Sequence, residues 1–171
     1  MVDGTQRRNA IVEQLKQAEI PLSATKLAAQ FGVSRQIIVG DVALLRASSV
    51  KIIATSRGYK MEKNDQRRLT SQVVVQHSPE QTRLELETIV QHGGEIIDVI
   101  VEHEIYGELV GGLHIRTTQD IDEFMKLYQP EETLLLSTLT KGIHIHTIAY
   151  DTKETLVAIK AALKAVGILY Q

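Results

Sequence analysis

Apolar residues recur at helical spacing through the first third of the chain and at strand-like and mixed spacing after it. Over residues 5–18 (TQRRNAIVEQLKQA), Ile11, Leu15 and Ala18 fall on one stripe, which predicts an amphipathic helix. Pro21 ends it, and Ser23 is placed to cap a short second helix (ATKLAAQF) packed through Leu27, Ala28 and Phe31. Gly32 then suits the left-handed conformation that closes a helix, Val33 plugs the core, and Ser34 caps a third helix (SRQIIVGDVALLRAS). That helix turns Ile38, Val42 and Leu45 inward and Ser34, Arg35, Gln36, Val39 and Gly40 outward. The next stretch, VKIIATSRGYKM, reads as two short strands with Gly58 at a basic turn.

Beyond residue 69 strands and helices alternate. Val73–His77 reads as a strand, and Ser78-Pro79-x-Gln81 as a capping box opening a helix to about His92, with Leu86, Ile89 and Val90 inward. Strands follow at Ile96–Val101 and near Leu109–Ile115, then a helix over Gln119–Tyr128 with Ile121, Phe124 and Leu127 inward. Gly142–Tyr150 reads as the last strand, and the box DTKE opens a final helix (Thr152–Val166) that Gly167 ends. The order β-α-β-β-α-β-α predicts an α+β, ferredoxin-like split βαβ domain with one extra helix.

Three helices with a glycine turn, followed by a basic two-stranded wing, are the pattern of a winged helix-turn-helix, whose third helix faces base edges in the major groove. A tri-helical protein-interaction domain packs the same way, so charge matters here. Residues 1–63 hold ten Lys/Arg against five Asp/Glu, whereas residues 64–171 hold nine against sixteen; the net charge of −2 hides a basic reader and an acidic partner domain. With the Ser-Arg-Gln opening of the third helix, this favours double-stranded DNA. In that reading Arg35 bridges a guanine or a phosphate, Gln36 reads adenine, and Val39 meets a thymine methyl. Gly40, which weakens the helix by about 1 kcal/mol against Ala, lets the backbone approach. On the wing, Arg57 and Lys60 neutralise phosphates and Tyr59 hydrogen-bonds one. The expected organisation is a DNA-binding domain over 1–62, a polar linker over 63–68 and a second domain over 69–171.

Composition narrows the chemistry of that second domain. With no cysteine among 171 residues, a disulfide framework, a thiol nucleophile and thiolate metal sites are excluded, so a metal would have to sit on His, Asp and Glu. All six histidines lie beyond residue 69. His144 and His146 sit at i and i+2 of a strand, so both imidazoles share one face, with Ile143 and Ile145 expected toward the core. If the first and last strands pair, His77 approaches them beside the helix carrying Glu85. Three imidazoles and a carboxylate would suit Zn, Ni, Co or Fe(II). The competing explanation is a solvated strand face and a solvated helix face; His92 and His114 are left to that explanation. Seven aromatics offer no stacking platform for single-stranded nucleic acid. No apolar run reaches the ~20 residues of a membrane span, and the N-terminus lacks a signal peptide's apolar core, so a cytoplasmic protein is expected. No H-E-x-x-H, P-loop, G-x-S-x-G or G-x-G-x-x-G fingerprint points to an enzyme.

In SRQIIVGDVALLRA with IIATSRGYKM, and in His77 with Glu85, GGEIIDVIVEHEIYGEL and KGIHIHTIAY, the chain resembles the NiaR family, nicotinate-responsive repressors of NAD biosynthesis that join a winged helix to a 3H domain. The resemblance spans essentially the whole chain. It implies that His77, Glu85, His144 and His146 ligate one divalent transition metal per chain, and that nicotinic acid is the corepressor. It also places His103, Tyr106 and Gly107 in the family's remaining histidine motif, an effector-binding candidate, with Glu104 where that motif has proline. A homodimer on an inverted-repeat operator is expected, since helix-turn-helix dimers read half-sites about 34–36 Å apart. A metal sensor, with the ion itself as the signal, is the alternative.

Overall fold

The computed structural model describes residues 3–62, 68–129 and 133–171, and it places α1 at Gly4–Gln17, α2 at Ala24–Phe31 and α3 at Arg35–Ala47. The caps are side-chain caps. Asp3 accepts from the Thr5 amide, Ser23 from Lys26 and Ser34 from Ile37, each satisfying an amide that the first helical turn leaves open. Gly32 closes α2 in the left-handed conformation at φ 64°. Ile11, Leu15, Leu27, Ile38 and Val42 form the centre of this unit's core; burying each such side chain stabilises the fold by roughly 1.5–3 kcal/mol. Strands β1 (Ile52–Thr55) and β2 (Gly58–Met61) pair antiparallel as the wing. Leu22, outside every element predicted from the pattern, exchanges both backbone hydrogen bonds with Tyr59 at 2.9 Å and adds a third short rung. Gly58 belongs there, because a Cβ at its φ of 136° would lie 2.4 Å from the Leu22 carbonyl oxygen.

The inward face of α3 contains a charge. Asp41 is buried and receives Arg7 Nε at 2.6 Å and Arg8 Nη1 at 3.3 Å, an ion-paired cluster that ties α1 to α3. A carboxylate this buried is tolerable only with such partners.

The chain divides into two compact units, Met1–Asn64 and Asp65–Gln171. Residues 63–67 of the expected linker 63–68 lie outside the described residues. Arg68, its last position, is clamped by Glu95 at 2.6 Å and Asp151 at 3.0 Å and also donates to the Ala149 carbonyl.

In the second unit, β3 (Leu69–Gln76), α4 (Thr82–Gln91), β4 (Glu95–His103), β5 (Gly107–Ile115), α5 (Thr118–Leu127), β6 (Ile143–Tyr150) and α6 (Lys153–Ala165) follow the predicted order. The sheet order is β3-β6-β4-β5 with every neighbouring pair antiparallel. Each helical crossover therefore skips one strand, as a split βαβ requires: β6 lies between β3 and β4, and β4 lies between β5 and β6. Leu86 and Ile89 of α4, Ile121 of α5, and Ile159 and Leu163 of α6 share one core cluster with Val73, Val75, Ile96, Ile115 and Ile148 of the sheet.

Several local expectations change. The first strand of this unit begins at Leu69, four residues early, and stops at Gln76, so His77 stands just past its end. The Ser78–Gln81 capping box exists but opens a 3-10 turn over Pro79–Gln81 that leads into α4. Val90 is only half-buried. Leu127 is 54% exposed, and Met125 packs on the core instead. The cap of α6 is Thr152 rather than Asp151, which is occupied by Arg68.

Candidate metal centre and nucleic-acid interface

The His144–His146 pair alternates onto one face of β6, as period two dictates, but that face is the one covered by helices. His144 and His146 are buried and continue into Ile148 and Tyr150 of the core, while Ile143 and Ile145 are half-buried on the opposite face. The expectation that the isoleucines face the core is thus reversed. What makes buried imidazoles tolerable is Glu85, 1% exposed, projecting from the inner face of α4 beside Leu86 and Ile89.

The antiparallel β3–β6 pairing sets Val75 opposite His144 and brings the end of β3, with His77, to the same place. His77 Nε2 lies 2.8 Å from Glu85 Oε2, and His146 Nε2 and His144 Nε2 lie 3.2 and 3.4 Å from Glu85 Oε1. The two strand histidines are 3.2 Å apart, Nε2 to Nε2. Ligand atoms of His77, Glu85 and His144 all fall within 4.8 Å of one another, and His146 adjoins them.

The opposite ring nitrogens decide the chemistry. His77 Nδ1 contacts the Ser78 carbonyl at 2.7 Å, His144 Nδ1 the Gly142 carbonyl at 2.9 Å, and His146 Nδ1 the Asp98 carbonyl at 2.6 Å. A carbonyl can only accept, so each Nδ1 carries a proton and donates it. In the neutral rings each Nε2 is then a lone pair, and three lone pairs converge on a carboxylate whose Oε1 is buried without a hydrogen-bond partner. Such a group is repulsive unless a positive charge sits within it. Backbone-fixed imidazoles aimed at a common point are the outer-shell arrangement that holds metal-ligating histidines, and the nitrogen/oxygen donor set fits a divalent transition ion.

Without an ion, protons supply that charge. Burial by itself would push the Glu85 carboxyl up and the His77 and His146 imidazoles down. The charge of His146 and the close approach of all three rings nevertheless hold Glu85 well below the usual carboxylate range. Glu85 in turn raises His77 and His146 above the ordinary histidine value.

Three supporting groups lay outside the sequence reading. Asp98 follows an irregularity in the β4 register between Ile96 and Asp98; its carbonyl meets His146, and its Oδ1 accepts the Thr147 amide at 3.0 Å. Gly142 offers its carbonyl to both His144 Nδ1 and the His77 amide, and Ser78 offers its own to His77. A glycine two residues before His144 was the one visible signal, since a Cβ there would meet the His77 carbonyl.

The remaining predicted effector residues are elsewhere. His103 and Gly107 pair across the end of the β4–β5 hairpin, and Tyr106 stacks on His103 with ring centroids 5.0 Å apart. The amides of Ile105 and Tyr106 donate to His103 Nδ1, at 3.2 and 3.4 Å. The structure brings these three together, and among the described residues they make no hydrogen bond to His77, Glu85, His144 or His146. His92 and His114 also stand apart, the first bonded to the Thr88 carbonyl and the second 3.7 Å from Glu95.

In the first unit, Arg35, Gln36, Val39 and Gly40 form an exposed strip at the start of α3, headed by the Ser34 cap. A side chain at Gly40 would meet only open space. Arg57 lies in the β1–β2 turn with its amide on Thr55, and Lys60 is half-buried on β2. Tyr59 leans onto the core cluster.

Among the described residues no helix is long and apolar enough to cross a membrane. Residues 7–60 match the HTH domain family and residues 70–171 the 3H domain family. The chain is 39% identical over 168 residues to the probable transcription repressor NiaR of Thermotoga maritima (97% of this chain, 94% of the relative). It is 36% identical over 169 residues to the transcription repressor NadR of Bacillus subtilis, with the same coverage. With an exposed strip at the start of α3 in an HTH unit and a buried histidine cluster in a 3H unit, the chain belongs to the NiaR family of transcription repressors, which are regulators and not enzymes.

Proposed function

We propose that this repressor acts in the cytoplasm on genes of NAD biosynthesis and niacin uptake, with nicotinic acid as corepressor. Residues 1–62 bind a double-stranded operator, 63–68 link, and 69–171 hold the metal and the effector. The α3 strip (Ser34, Arg35, Gln36, Val39, Gly40) reads bases, and Arg57, Tyr59 and Lys60 serve the phosphates from the wing. A homodimer sits on an inverted repeat. The observation that carries the sensing half is the convergence of His77, His144 and His146 Nε2 on Glu85. These four residues would hold one Ni, Zn, Co or Fe ion, which supplies a fixed positive charge that a carboxylate effector can exploit. The chain's own part is to keep the donors deprotonated at Nε2 and dry, through the three backbone carbonyls and the helices above them.

Nicotinate can act as corepressor only if it binds the DNA-competent state more tightly than the other. Coupling of this kind typically changes affinity about 5–150-fold. In a fluorescence-anisotropy titration of metal-loaded protein with operator DNA, nicotinate is expected to lower the Kd within that range. Unchanged affinity would sink the corepressor reading, and affinity that followed free metal while ignoring nicotinate would establish the ion as the signal.

A further inference from the structure

We infer that the effector's seat is the depression of about 490 Å3 bounded by His77, Ser78 and Pro79 on one side and Thr138, Lys141 and Gly142 on the other, with the Lys141 ammonium as partner of its carboxylate. The inference rests on the corepressor reading above and adds the place and the selecting residue.

Among the described lining residues Lys141 is the one formally charged side chain, which favours an anion. It is exposed, and no ion pair of Lys141 is found among the described residues, which leaves its head group to an incoming ligand. Its backbone is fixed. Lys141 ends the 3-10 helix Leu136–Thr140 in the left-handed conformation, φ 53° and ψ 38°, and Gly142 follows at φ 88°, with both amides bonded to the Ser137 carbonyl. A residue with a side chain rarely adopts that conformation; here it carries a cationic arm beside the depression.

The same walls belong to the histidine cluster. His77 lines the depression and also meets Glu85. Gly142 lines it and also receives His144 Nδ1 at 2.9 Å and the His77 amide at 3.4 Å. A ligand seated here touches Gly142, whose carbonyl orients one imidazole, and His77, which supplies another. Binding and cluster geometry are therefore linked through two shared residues. Apart from Lys141 the described lining residues carry no formal charge and include Pro79. The ligand class is a small, flat monocarboxylate; a dicarboxylate would leave one charge unpaired.

Lys141→Asn removes the charge while placing at this position a residue that tolerates the left-handed conformation. Calorimetric titrations of the metal-loaded full chain would use nicotinate and its neutral isostere nicotinamide, with metal content measured on the same samples as the check on folding. With metal retained, K141N is expected to weaken nicotinate about 10- to 100-fold, the worth of a charge-assisted hydrogen bond, and to leave any nicotinamide binding within twofold. A nicotinate loss under fivefold, or an equal loss for both ligands, overturns the assignment of Lys141. Failure of the metal-loaded wild type to bind nicotinate at all overturns the corepressor reading instead.

Discussion

Glu85→Ala is expected to abolish binding of the proposed transition metal, with occupancy falling from about one ion per chain in metal-loaded wild type to near zero by elemental analysis after dialysis. Glu85 is the only anion in the cluster, and each of its oxygens faces at least one Nε2 at 2.8–3.4 Å. Without it three neutral donors remain with nothing to offset the ion's charge, a change far larger than the 10–100-fold typical of an outer-shell substitution. Full metal occupancy in the variant would refute the ligand assignment. The wild type carries a matching pH signature. Held low, Glu85 contributes stability that is present above the ordinary glutamate pKa of about 4.3 and lost as pH falls through its folded value. Raised by Glu85, His77 and His146 contribute stability that is present below about 6.5 and lost as pH climbs through their folded values. Chelated protein should therefore melt at lower temperature at pH 8 than at pH 6. Metal-loaded protein should do the reverse, because ligands must shed protons to bind. Thermal scans at the two pH values, with chelator and with metal, check both signs.

Gly142→Ala is the most damaging single methyl group the site could receive. At φ 88° its Cβ would stand 2.3 Å from the His77 carbonyl oxygen, and 3.2 Å from that carbonyl's carbon. The obstacle is backbone at the end of β3, so nothing flexible can move aside. Relieving it means separating His77 from the start of β6, which also breaks the support of His144. The expected cost is about 3 kcal/mol or more, strained φ and clash combined, with metal affinity falling in parallel. Gly167→Ala is the control: φ is 74° there too, but nothing lies within 4 Å, so only the conformational cost of roughly 1 kcal/mol applies. Urea unfolding of the two variants separates the terms, and a G142A variant within 1 kcal/mol of wild type would refute the argument.

What the sequence made legible is what local physics decides. Ser23, Gly32 and Ser34 are caps and stops whose geometry depends on their immediate neighbours, so the helix boundaries of the first unit were readable. The i, i+2 spacing put His144 and His146 on one face without any knowledge of the partner strands. Which face was not readable, because two isoleucines and two histidines alternate, and hydropathy favours the wrong pair inward. Only Glu85, delivered from α4 across the core, makes the histidine face the inner one. Asp41 was missed for the same reason: a buried aspartate looks like a surface one until Arg7 and Arg8 are brought from another helix. Leu127 ends α5 and is exposed, and apolar periodicity does not reveal where the covering surface ends. The left-handed Lys141 and the shifted register before Asp98 are tertiary choices with no local signature.

The Arg7–Asp41–Arg8 cluster bears on how ionic strength tunes operator binding. Salt sensitivity counts the condensed cations that a protein displaces from DNA, with a slope near −0.9 per phosphate neutralised. A tally of ten basic residues in the first 63 positions would forecast a steep slope. Arg7 and Arg8 already face a carboxylate inside the fold, so part of their charge is compensated by Asp41 and is not available to displace cations from phosphates. Two arginines on one carboxylate keep a net charge of +1, so the plot of log affinity against log salt should be shallower than the tally by about one phosphate equivalent. Asp41 thus makes this repressor less dependent on the ionic state of the cell than its composition suggests.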